Sequence, residues 1–398
     1  MVDWFWYSIL EIKFGLLRES VSCNIRRRRV RRTLTVGKAV LSPRLVKEKH
    51  VLHSRSDCVN LRMRRVVVIT GANTGVGLQT ALGLARKPHS YHVVLACRSE
   101  TKAQGAVEWI REQCAEASAS VVPLDLADLT SVVRCAERLE AEYAGGIHAV
   151  VCNAGVGGVD RPPEPTADGG DFVYRTNFVG HFVLVLRLLP LLERAAAASR
   201  VASRVVCVSS VMHRWGHTRW TEPLSFQPRA SSYNVSKLAL AVFASELTRR
   251  EAVRGVIGLA VNPGAVNSDI WYRGDASWGR RPAWQRTLLE LAFRSTFLTT
   301  AQGAATSISA VTEAAWERRP PSDGAGALYL APYRTPAAMP MPFELHGPFA
   351  GARPCTPHPA VGDVVEGRSL WEGLVADARI RPLLGAAPAR RLAPNEVI

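Results

Sequence analysis

The chain has 398 residues, of which 47% are hydrophobic, so it is long enough for one large α/β domain with extensions or for two smaller domains. No apolar run reaches the roughly 18 residues that a membrane-spanning helix needs, and the eight cysteines have neither Cys-x-x-Cys pairs nor metal-like spacing with histidines. The net charge of +16 is typical of a nucleic-acid-binding protein, but residues 1–63 hold 14 Lys and Arg against 5 Asp and Glu and carry more than half of it. The composition argues against membrane-spanning, metal-binding and disulfide-rich classes, and the cysteines favour a reducing intracellular compartment, either cytoplasmic or membrane-associated.

Residues 1–63 form a basic N-terminal extension. Its residues 4–17 are apolar and aromatic, and an arginine-rich run follows at residues 26–32. Such a pair of segments suits the surface of an anionic membrane, but the same arginines also fit a targeting signal or nucleic-acid contact. A disordered extension without a role in the chemistry stays open too, as does a start of the working protein at Met63. We expect the extension to be disordered or to contact a membrane through residues 1–32, with no nucleic acid as partner.

The first predicted strand and helix are joined by a glycine-rich turn. Val66 to Ile69 are four β-branched residues in a row, a pattern typical of a strand buried on both faces. Three glycines come next, ahead of a helical segment at 78–86. Strand, glycine turn and helix form the first unit of a dinucleotide-binding fold, in which Gly71 allows the tight turn. Gly75 and Gly77 would let backbone amides approach a pyrophosphate at the positive end of the helix.

The rest of residues 64–335 alternates between strands and helices. This alternation predicts an α/β fold with a doubly wound, Rossmann-like parallel sheet in a single domain. Residues 336–398 form a proline-rich C-terminal tail for which the prolines argue against regular structure, apart from a short helix at 365–379 that could dock on the domain. Predicted strands fall at residues 92–97, 120–124, 147–152, 204–208, 257–261 and 327–330, and predicted helices at 100–115, 128–143, 172–197 and 301–315, with a further helix opening at Tyr233.

Arg98 directly follows the second predicted strand. In a doubly wound sheet the residue at this place faces the adenosine ribose. A carboxylate there would accept hydrogen bonds from a 2′-hydroxyl and favour NAD, whereas an arginine offers a cation to a 2′-phosphate and favours NADP(H). The alternative is a solvated loop arginine, because the chain uses arginine far more often than lysine.

The candidate catalytic residues follow the fifth predicted strand. This strand ends in Ser209-Ser210, where open α/β sheets bind their ligands, and Tyr233 and Lys237 lie on one face of the next helix because they are four residues apart. A free tyrosine has a pKa near 10, and a nearby lysine cation together with an oxidised nicotinamide would favour the phenolate. A serine hydroxyl can hydrogen-bond the oxygen of a substrate carbonyl and leave the carbon open to hydride. Lys237 is the only lysine after Lys102, so chance is a poor explanation for a lysine four residues after a tyrosine at this place in the fold.

Together these motifs resemble the short-chain dehydrogenase/reductase family, and within it the retinol and polyprenol dehydrogenase-like branch. The resemblance covers about two-thirds of the chain. Ser268 stands where the family usually has threonine, which keeps the hydroxyl. The motifs are Thr-Gly-x-x-x-Gly-x-Gly at 70–77, Asn-Ala-Gly at 153–155, Asn-x-x-Gly at 177–180, Tyr-x-x-x-Lys at 233–237 and Pro-Gly-x-Val-x-Ser at 263–268.

The resemblance implies a role for each matching residue. Tyr233 would be the general acid/base, tuned by Lys237, and Asn177 would support a local helix break and a proton relay. The second serine of such a pair usually acts, so we choose Ser210 and keep Ser209 as the alternative. Residues implied to contact NADP(H) are Gly71, Asn73, Thr74, Gly75, Val76, Gly77, Arg98, Asp125, Leu126, Asn153, Ala154, Gly155, Tyr233, Lys237, Pro263, Gly264, Val266 and Ser268.

Some of these assignments have structural alternatives. Asp125 could cap the helix that begins near Asp128 instead of meeting an adenine ring, and His213 is interpreted as a structural loop residue. Residues 270–299 are rich in aromatic side chains and correspond to the substrate lid of the family. They favour an apolar retinoid, isoprenoid or steroid-like substrate, but they could equally pack on the sheet.

The predicted function is therefore NADP(H)-dependent oxidoreduction of a carbonyl/alcohol pair on an apolar small molecule, with a Ser-Tyr-Lys mechanism. One alternative is an NADP(H)-binding regulatory protein without turnover, against which the intact Ser-Tyr-Lys set argues. An epimerase or dehydratase of the extended branch would need Gly-x-x-Gly-x-x-Gly, which the chain lacks. Substrate identity, reaction direction and a homodimer stay open.

Overall fold

A computed structural model describes residues 64–87, 90–157, 165–225, 232–268, 282, 284–287, 290–291, 297–316, 328–333 and 349–385. The expectations for the N-terminal extension and for most of the aromatic stretch at 270–299 lie outside these residues. Among the helices in the described ranges, none is long and apolar enough to cross a membrane.

Eight strands form one central sheet, in the order β3-β2-β1-β4-β5-β6-β7-β8. The apolar runs are central strands because both faces are covered: all residues of β2, β4 and β5 are buried. The doubly wound prediction is confirmed, with seven strands parallel and β8 antiparallel at the edge. The strands are β1 Arg65–Thr70, β2 Tyr91–Cys97, β3 Ala119–Pro123, β4 Ala149–Cys152, β5 Ser203–Val208, β6 Val256–Val261, β7 Tyr329–Tyr333 and β8 Phe349–Pro354.

Helices cover both faces of the sheet and enclose two hydrophobic cores. Strand order reverses between β1 and β4, so the carboxyl ends of these strands open into a crevice at the switch point. The glycine turn, the Asn-Ala-Gly segment and the Ser209-Ser210 pair follow β1, β4 and β5 and are thereby placed side by side. The helices are α1 Gly75–Ala85, α2 Glu100–Gln113, α3 Leu129–Glu142, α4 Gly180–Ser199, α5 Ser232–Glu251, α6 Thr300–Thr312 and α7 Val364–Ala376.

The helix predicted at 172–197 is not continuous. A short helical turn at Phe172–Tyr174 leads into a π-helical turn at Arg175–Val179, and α4 begins only at Gly180. The extra residue in a π turn is accommodated because the Asn177 side chain bonds the neighbouring loop instead of solvent. Hydrophobic periodicity cannot reveal such a turn, since all five of its residues are buried.

The chain remains ordered in regular elements beyond the predicted domain end at residue 335. Despite the prolines, β8 at Phe349–Pro354 pairs with β7, which is possible because an edge strand leaves one side of its backbone unpaired. Helix α7 then buries Leu370, Trp371 and Leu374 against the core. Trp371 packs edge-on against Phe182 with ring centroids 5.5 Å apart, so the tail shares the core of the domain.

Candidate active site

The glycine turn after β1 is shaped for close approach. Gly71 and Gly75 have φ of 64° and 61°, a region in which side chains are strained. A Cβ on Gly77 would lie 2.4 Å from Nδ2 of Asn153 and 2.6 Å from the Gly71 oxygen, whereas a Cβ on Gly75 would meet no atom of the described residues within 4 Å. The turn is therefore closed on the Asn153 side and open on the side of Gly75.

At the amino end of α1, no side chain among the described residues caps the backbone amides. Its N-cap Thr74 has extended backbone and makes no side-chain cap hydrogen bond, and no acidic residue lies in the first turn. Amides that no side chain satisfies, at the positive end of a helix, suit a phosphate group. Together with the open space at Gly75, this arrangement fits the pyrophosphate of a dinucleotide, and Asn73 and Val76 lie in the same turn.

The Asn-Ala-Gly segment is tied to the glycine turn by hydrogen bonds. Nδ2 of Asn153 donates to the Thr70 oxygen at 2.8 Å, and the amides of Asn153 and Ala154 both donate to Oγ1 of Thr70 at 2.9 Å. A Cβ on Gly155 would lie 3.3 Å from Nζ of Lys237 and 3.5 Å from Oδ1 of Asn177. The segment therefore connects the predicted nucleotide turn with two of the predicted catalytic residues.

The two predicted adenosine contacts lie at the ends of β2 and β3. Arg98 is exposed directly after β2. Oδ1 of Asp125 accepts the Ala127 amide at 3.0 Å, whereas α3 is capped by Asp128, whose side chain accepts the Thr130 amide. The alternative that Asp125 caps this helix is therefore wrong; the carboxylate supports the turn before the helix, and Leu126 is buried beside it.

The segment after β6 forms a short, ordered turn. Gly264 has φ of 83°, and its amide donates to Oδ1 of Asn262 at 2.9 Å. Val266 is buried and bridges Leu298 in parallel fashion. The segment that contains Pro263 and Ser268 thus begins at the carboxyl end of a strand two places from β4.

The two serines after β5 have different partners. Ser209 is buried, and its hydroxyl donates to the Lys237 carbonyl oxygen at 2.7 Å. The Ser210 side chain accepts the Met212 amide at 3.3 Å, and its hydroxyl lies close enough to Tyr233 to lower the pKa of the phenol. Because the Ser209 hydroxyl is committed to helix α5, Ser210 is the serine that the structure brings to the tyrosine.

Tyr233 and Lys237 lie together on α5. Nζ of Lys237 is 5.7 Å from the Tyr233 ring centroid and donates to the Val208 oxygen at 3.0 Å. Gly157 lets the chain pass close to the tyrosine, since a Cβ there would lie 2.8 Å from the tyrosine Cδ2. The tyrosine, the lysine and Ser210 thus form one cluster at the carboxyl end of β5.

Burial shifts the acidities of this cluster. Desolvation lowers the pKa of Lys237 to about 8, so the side chain is still cationic at neutral pH. Burial also raises the pKa of Tyr233, partly offset by the hydrogen bond with Ser210. In the protein alone the phenol is therefore the favoured form, and Lys237 does not by itself bring the tyrosine to the phenolate.

Asn177 links the π turn to the cluster. Its Oδ1 accepts the Val156 amide at 2.7 Å, and its Nδ2 donates to the Val156 oxygen and to Oγ of Ser236. Its backbone oxygen lies 2.8 Å from Nδ1 of His181. The asparagine is therefore held from three elements next to Lys237.

The sequence reasoning missed one residue that organises this edge of the sheet. His181 is fully buried between the Asn177 oxygen and the Thr70 hydroxyl, at 2.8 Å from each. A carbonyl oxygen can only accept, so Nδ1 carries the proton and Nε2 accepts from Thr70. Burial lowers the pKa of His181 to about 4. The sequence feature that could have indicated this role is a histidine within an apolar helix, four residues after Asn177.

The fold, the glycine turn and the Ser-Tyr-Lys cluster define a nucleotide-binding α/β domain of the oxidoreductase type. The sequence model described as short chain dehydrogenase matches residues 65–276, and the chain belongs to this family.

Relatives and solved structures agree with this assignment. The chain is 38% identical to retinol dehydrogenase 12 of Mus musculus over 61% of this chain and 72% of the relative. It is 32% identical to the WW domain-containing oxidoreductase of Danio rerio, over 77% of this chain and 67% of the relative. The Homo sapiens counterpart of the latter is 35% identical, and the chain spans only 61% of its length.

These similarities place the chain in a retinol dehydrogenase-like branch of the family. Among solved structures, an uncharacterized protein from Mycobacterium Paratuberculosis has a TM-score of 0.54 at 28% identity, covering 80% of this chain and 93% of the other. Levodione reductase has a TM-score of 0.50 at 20% identity, covering 64% and 93%, which shows the shared fold.

Proposed function

We propose that the protein is an NADP(H)-dependent oxidoreductase that interconverts a carbonyl and an alcohol on an apolar small molecule. The observation that carries this proposal is the cluster of Ser210, Tyr233 and the buried Lys237 at the carboxyl end of β5, in which the Ser210 hydroxyl lowers the pKa of the tyrosine. An oxygen placed between the two hydroxyls would meet a positioned donor and a proton source at once.

The chain's own residues supply the proton chemistry. Reduction adds a hydride and a proton across the C=O bond, and the nicotinamide supplies the hydride when it is bound. The Ser210 hydroxyl holds the carbonyl oxygen, and Tyr233 gives its phenolic proton to that oxygen as the alcohol forms. The phenolate left behind is stabilised by the Lys237 cation. Because burial raises the pKa of Tyr233, the residue is kept protonated and ready to act as an acid at neutral pH.

Lys237 and Asn177 support the tyrosine. The ammonium group lies beside the Asn-Ala-Gly segment, where a Cβ on Gly155 would be 3.3 Å from Nζ, and it could also hold ribose hydroxyls there. Asn177 fixes the π turn against the loop at Val156. We assign Asn177 the role of supporting a proton relay, without contact to the substrate.

NADP(H) is favoured over NAD(H) by Arg98. The guanidinium group is exposed at the end of β2, where a 2′-phosphate would lie in a doubly wound sheet. Arg98→Ala should raise the KM for NADPH about tenfold or more and leave that for NADH nearly unchanged. Lys102→Ala, which removes an exposed cation one turn into α2, is the matched control and should change neither.

The apolar substrate is inferred from the branch. The relative from Mus musculus is named a retinol dehydrogenase, and retinol is an apolar alcohol. Contact of residues 1–32 with a membrane would suit such a substrate and stays a prediction, as does a homodimer.

The experiment is NADPH consumption at 340 nm by the full chain with retinal, a polyprenal, steroid ketones and short aldehydes. NADPH-dependent reduction of an apolar carbonyl, with little activity on NADH, is the expected result. Saturable NADPH binding without turnover on any carbonyl, with or without membrane vesicles, would instead support the regulatory alternative.

A further inference from the structure

The turn that carries Ser210 is fastened by a single buried histidine. Nδ1 of His213 lies 2.7 Å from the Ser210 oxygen, and that oxygen also accepts the His213 amide at 3.0 Å. Because a carbonyl oxygen only accepts, Nδ1 carries the proton and Nε2 is left as an acceptor. The structure supplies the matching donor: the amide of His358 lies 3.0 Å from Nε2.

The segment that provides this donor comes from the far end of the chain. Residues 355–361 follow the edge strand β8 and pack against the Ser210 turn. The Cys355 amide donates to the Tyr329 oxygen at 2.8 Å, and Arg214 donates to the Thr356 oxygen. The Tyr329 ring packs on the His213 ring with centroids 4.8 Å apart. The histidine is therefore enclosed between β7 and the C-terminal segment.

This enclosure keeps the His213 ring in its neutral protonation state. His213 is fully buried, and burial lowers its pKa to about 4, so the ring is neutral and its one donor and one acceptor are both used. The backbone of Ser210 is extended, with φ of −158° and ψ of 159°, and the serine forms the N-cap of the turn at Val211–Trp215. The direction of the serine hydroxyl towards Tyr233 thus depends on where its carbonyl is held.

We propose that His213 is a positioning residue for Ser210, and that residues 355–361 complete the active site by holding His213 through the His358 amide. This inference rests on the proposed function for the role of Ser210. Residues 355–361 lie outside residues 65–276, to which the family match extends, whereas His213 lies within them.

A pair of substitutions at His358 isolates the amide. His358 has φ of −59° and ψ of 141°, values that proline adopts without strain. His358→Pro removes the N–H and puts a ring carbon against Nε2 of His213, whereas His358→Ala keeps the N–H. Both variants lose the same side-chain contact with the Ala360 amide, so their difference reports the brace.

Hydrogen exchange of the unliganded full chain is the first readout. Amides of residues 211–215 should exchange about tenfold faster in His358→Pro than in His358→Ala, because the turn loses its outer support. Amides of the distant helix α3 should exchange alike in both variants and thereby exclude global loosening. Equal protection of residues 211–215 in the two variants would overturn the inference.

A second pair at His213 covers the case in which proline disturbs folding. Glutamine places one amide donor and one carbonyl acceptor about as far apart as the two ring nitrogens, so His213→Gln can restore both hydrogen bonds. His213→Leu fills the space and restores neither. Protection of residues 211–215 should survive in the glutamine variant and fall in the leucine variant; equal values would again overturn the brace.

Turnover separates this inference from the proposed function. We expect kcat to fall about tenfold in His358→Pro relative to His358→Ala, with the same Kd for NADPH, since the glycine turn is untouched. If the wild type turns over and both His358 variants match it, the inference fails and the function stands. If the wild type shows no turnover, the function fails while hydrogen exchange still decides whether the brace exists.

Discussion

Gly77 is the residue at which the nucleotide turn has least room. A Cβ at this position would lie 2.4 Å from Nδ2 of Asn153, 2.6 Å from the Gly71 oxygen and 3.1 Å from the Ala72 Cα. Two of these neighbours are backbone atoms that cannot swing away. In Gly77→Ala the Asn153 side chain must therefore move, and its hydrogen bond to the Thr70 oxygen is lost.

The cost can be estimated from these contacts. Forcing a methyl group into a packed site costs about 1–3 kcal/mol, and leaving buried polar groups unpaired costs about 1–3 kcal/mol more. Alanine returns about 1 kcal/mol because glycine is a poor helix former. The net loss of about 3 kcal/mol corresponds to roughly 6–12 °C in Tm for a domain of this size.

The assay is urea unfolding of the wild type, Gly77→Ala and a matched control. Gly105 on α2 is exposed, and a Cβ there would meet no atom within 4 Å in the part of the chain that the structure describes, so Gly105→Ala should raise the free energy of unfolding by about 1 kcal/mol. Opposite shifts of the two midpoints, at equal slopes, are the expected result. A Gly77→Ala midpoint equal to or above that of the wild type would refute the reasoning about the closed side of the turn.

Three further predictions test other parts of the molecule. Ser210→Ala should reduce kcat about 100-fold or more with little change in Tm. Ser209→Ala removes the hydrogen bond to the Lys237 oxygen and should lower the free energy of unfolding by about 1 kcal/mol. If assays of kcat and Tm show the reverse pattern, Ser209 is the acting serine. Trp371→Ala should lower the free energy of unfolding in urea by about 3–5 kcal/mol, because Trp371 is only 4% exposed. Trp371→Phe should lower it much less, since the indole N–H has no hydrogen-bond partner among the described residues. Equal losses in the two variants would contradict this. Burial lowers the pKa of His181 to about 4. As the pH falls, the unfolded chain therefore takes up a proton at His181 before the folded chain does, and stability is lost between about pH 6.5 and pH 4. Tm should fall less steeply over this window in His181→Gln than in the wild type; identical slopes would argue that His181 does not stay neutral.

The order of strands and helices could be predicted because it is written in local patterns. β-branched runs such as Val66 to Ile69 become central strands wherever helices cover both faces of a sheet, and the glycines at 71, 75 and 77 mark the turn. The sequence also favours Ser210 over Ser209, but it does not show how the partners of the two serines differ. Only the fold shows that the Ser209 hydroxyl is taken up by the Lys237 carbonyl.

What the sequence could not provide depends on contacts between distant residues. The π turn at Arg175–Val179 is stabilised by Asn177 bonding Val156 across a loop; the family resemblance implied a local break at Asn177, but helical periodicity has no trace of the turn's geometry. The brace between His213 and His358 joins residues 145 positions apart. The prolines of the tail suggested an irregular chain apart from the short helix at 365–379; that helix forms as α7 and packs Trp371 into the core, whereas the edge strand β8 was not foreseen.

Tyr233→Phe tests the central claim most directly, since it removes one hydroxyl and leaves the ring in place. The measurement is kcat for reduction of the best carbonyl substrate, beside NADPH binding followed by fluorescence. The account predicts an unchanged Kd for NADPH and a loss of about 100-fold to 10,000-fold in kcat. Turnover close to that of the wild type, at equal NADPH affinity, would contradict the assignment of Tyr233 as the proton donor.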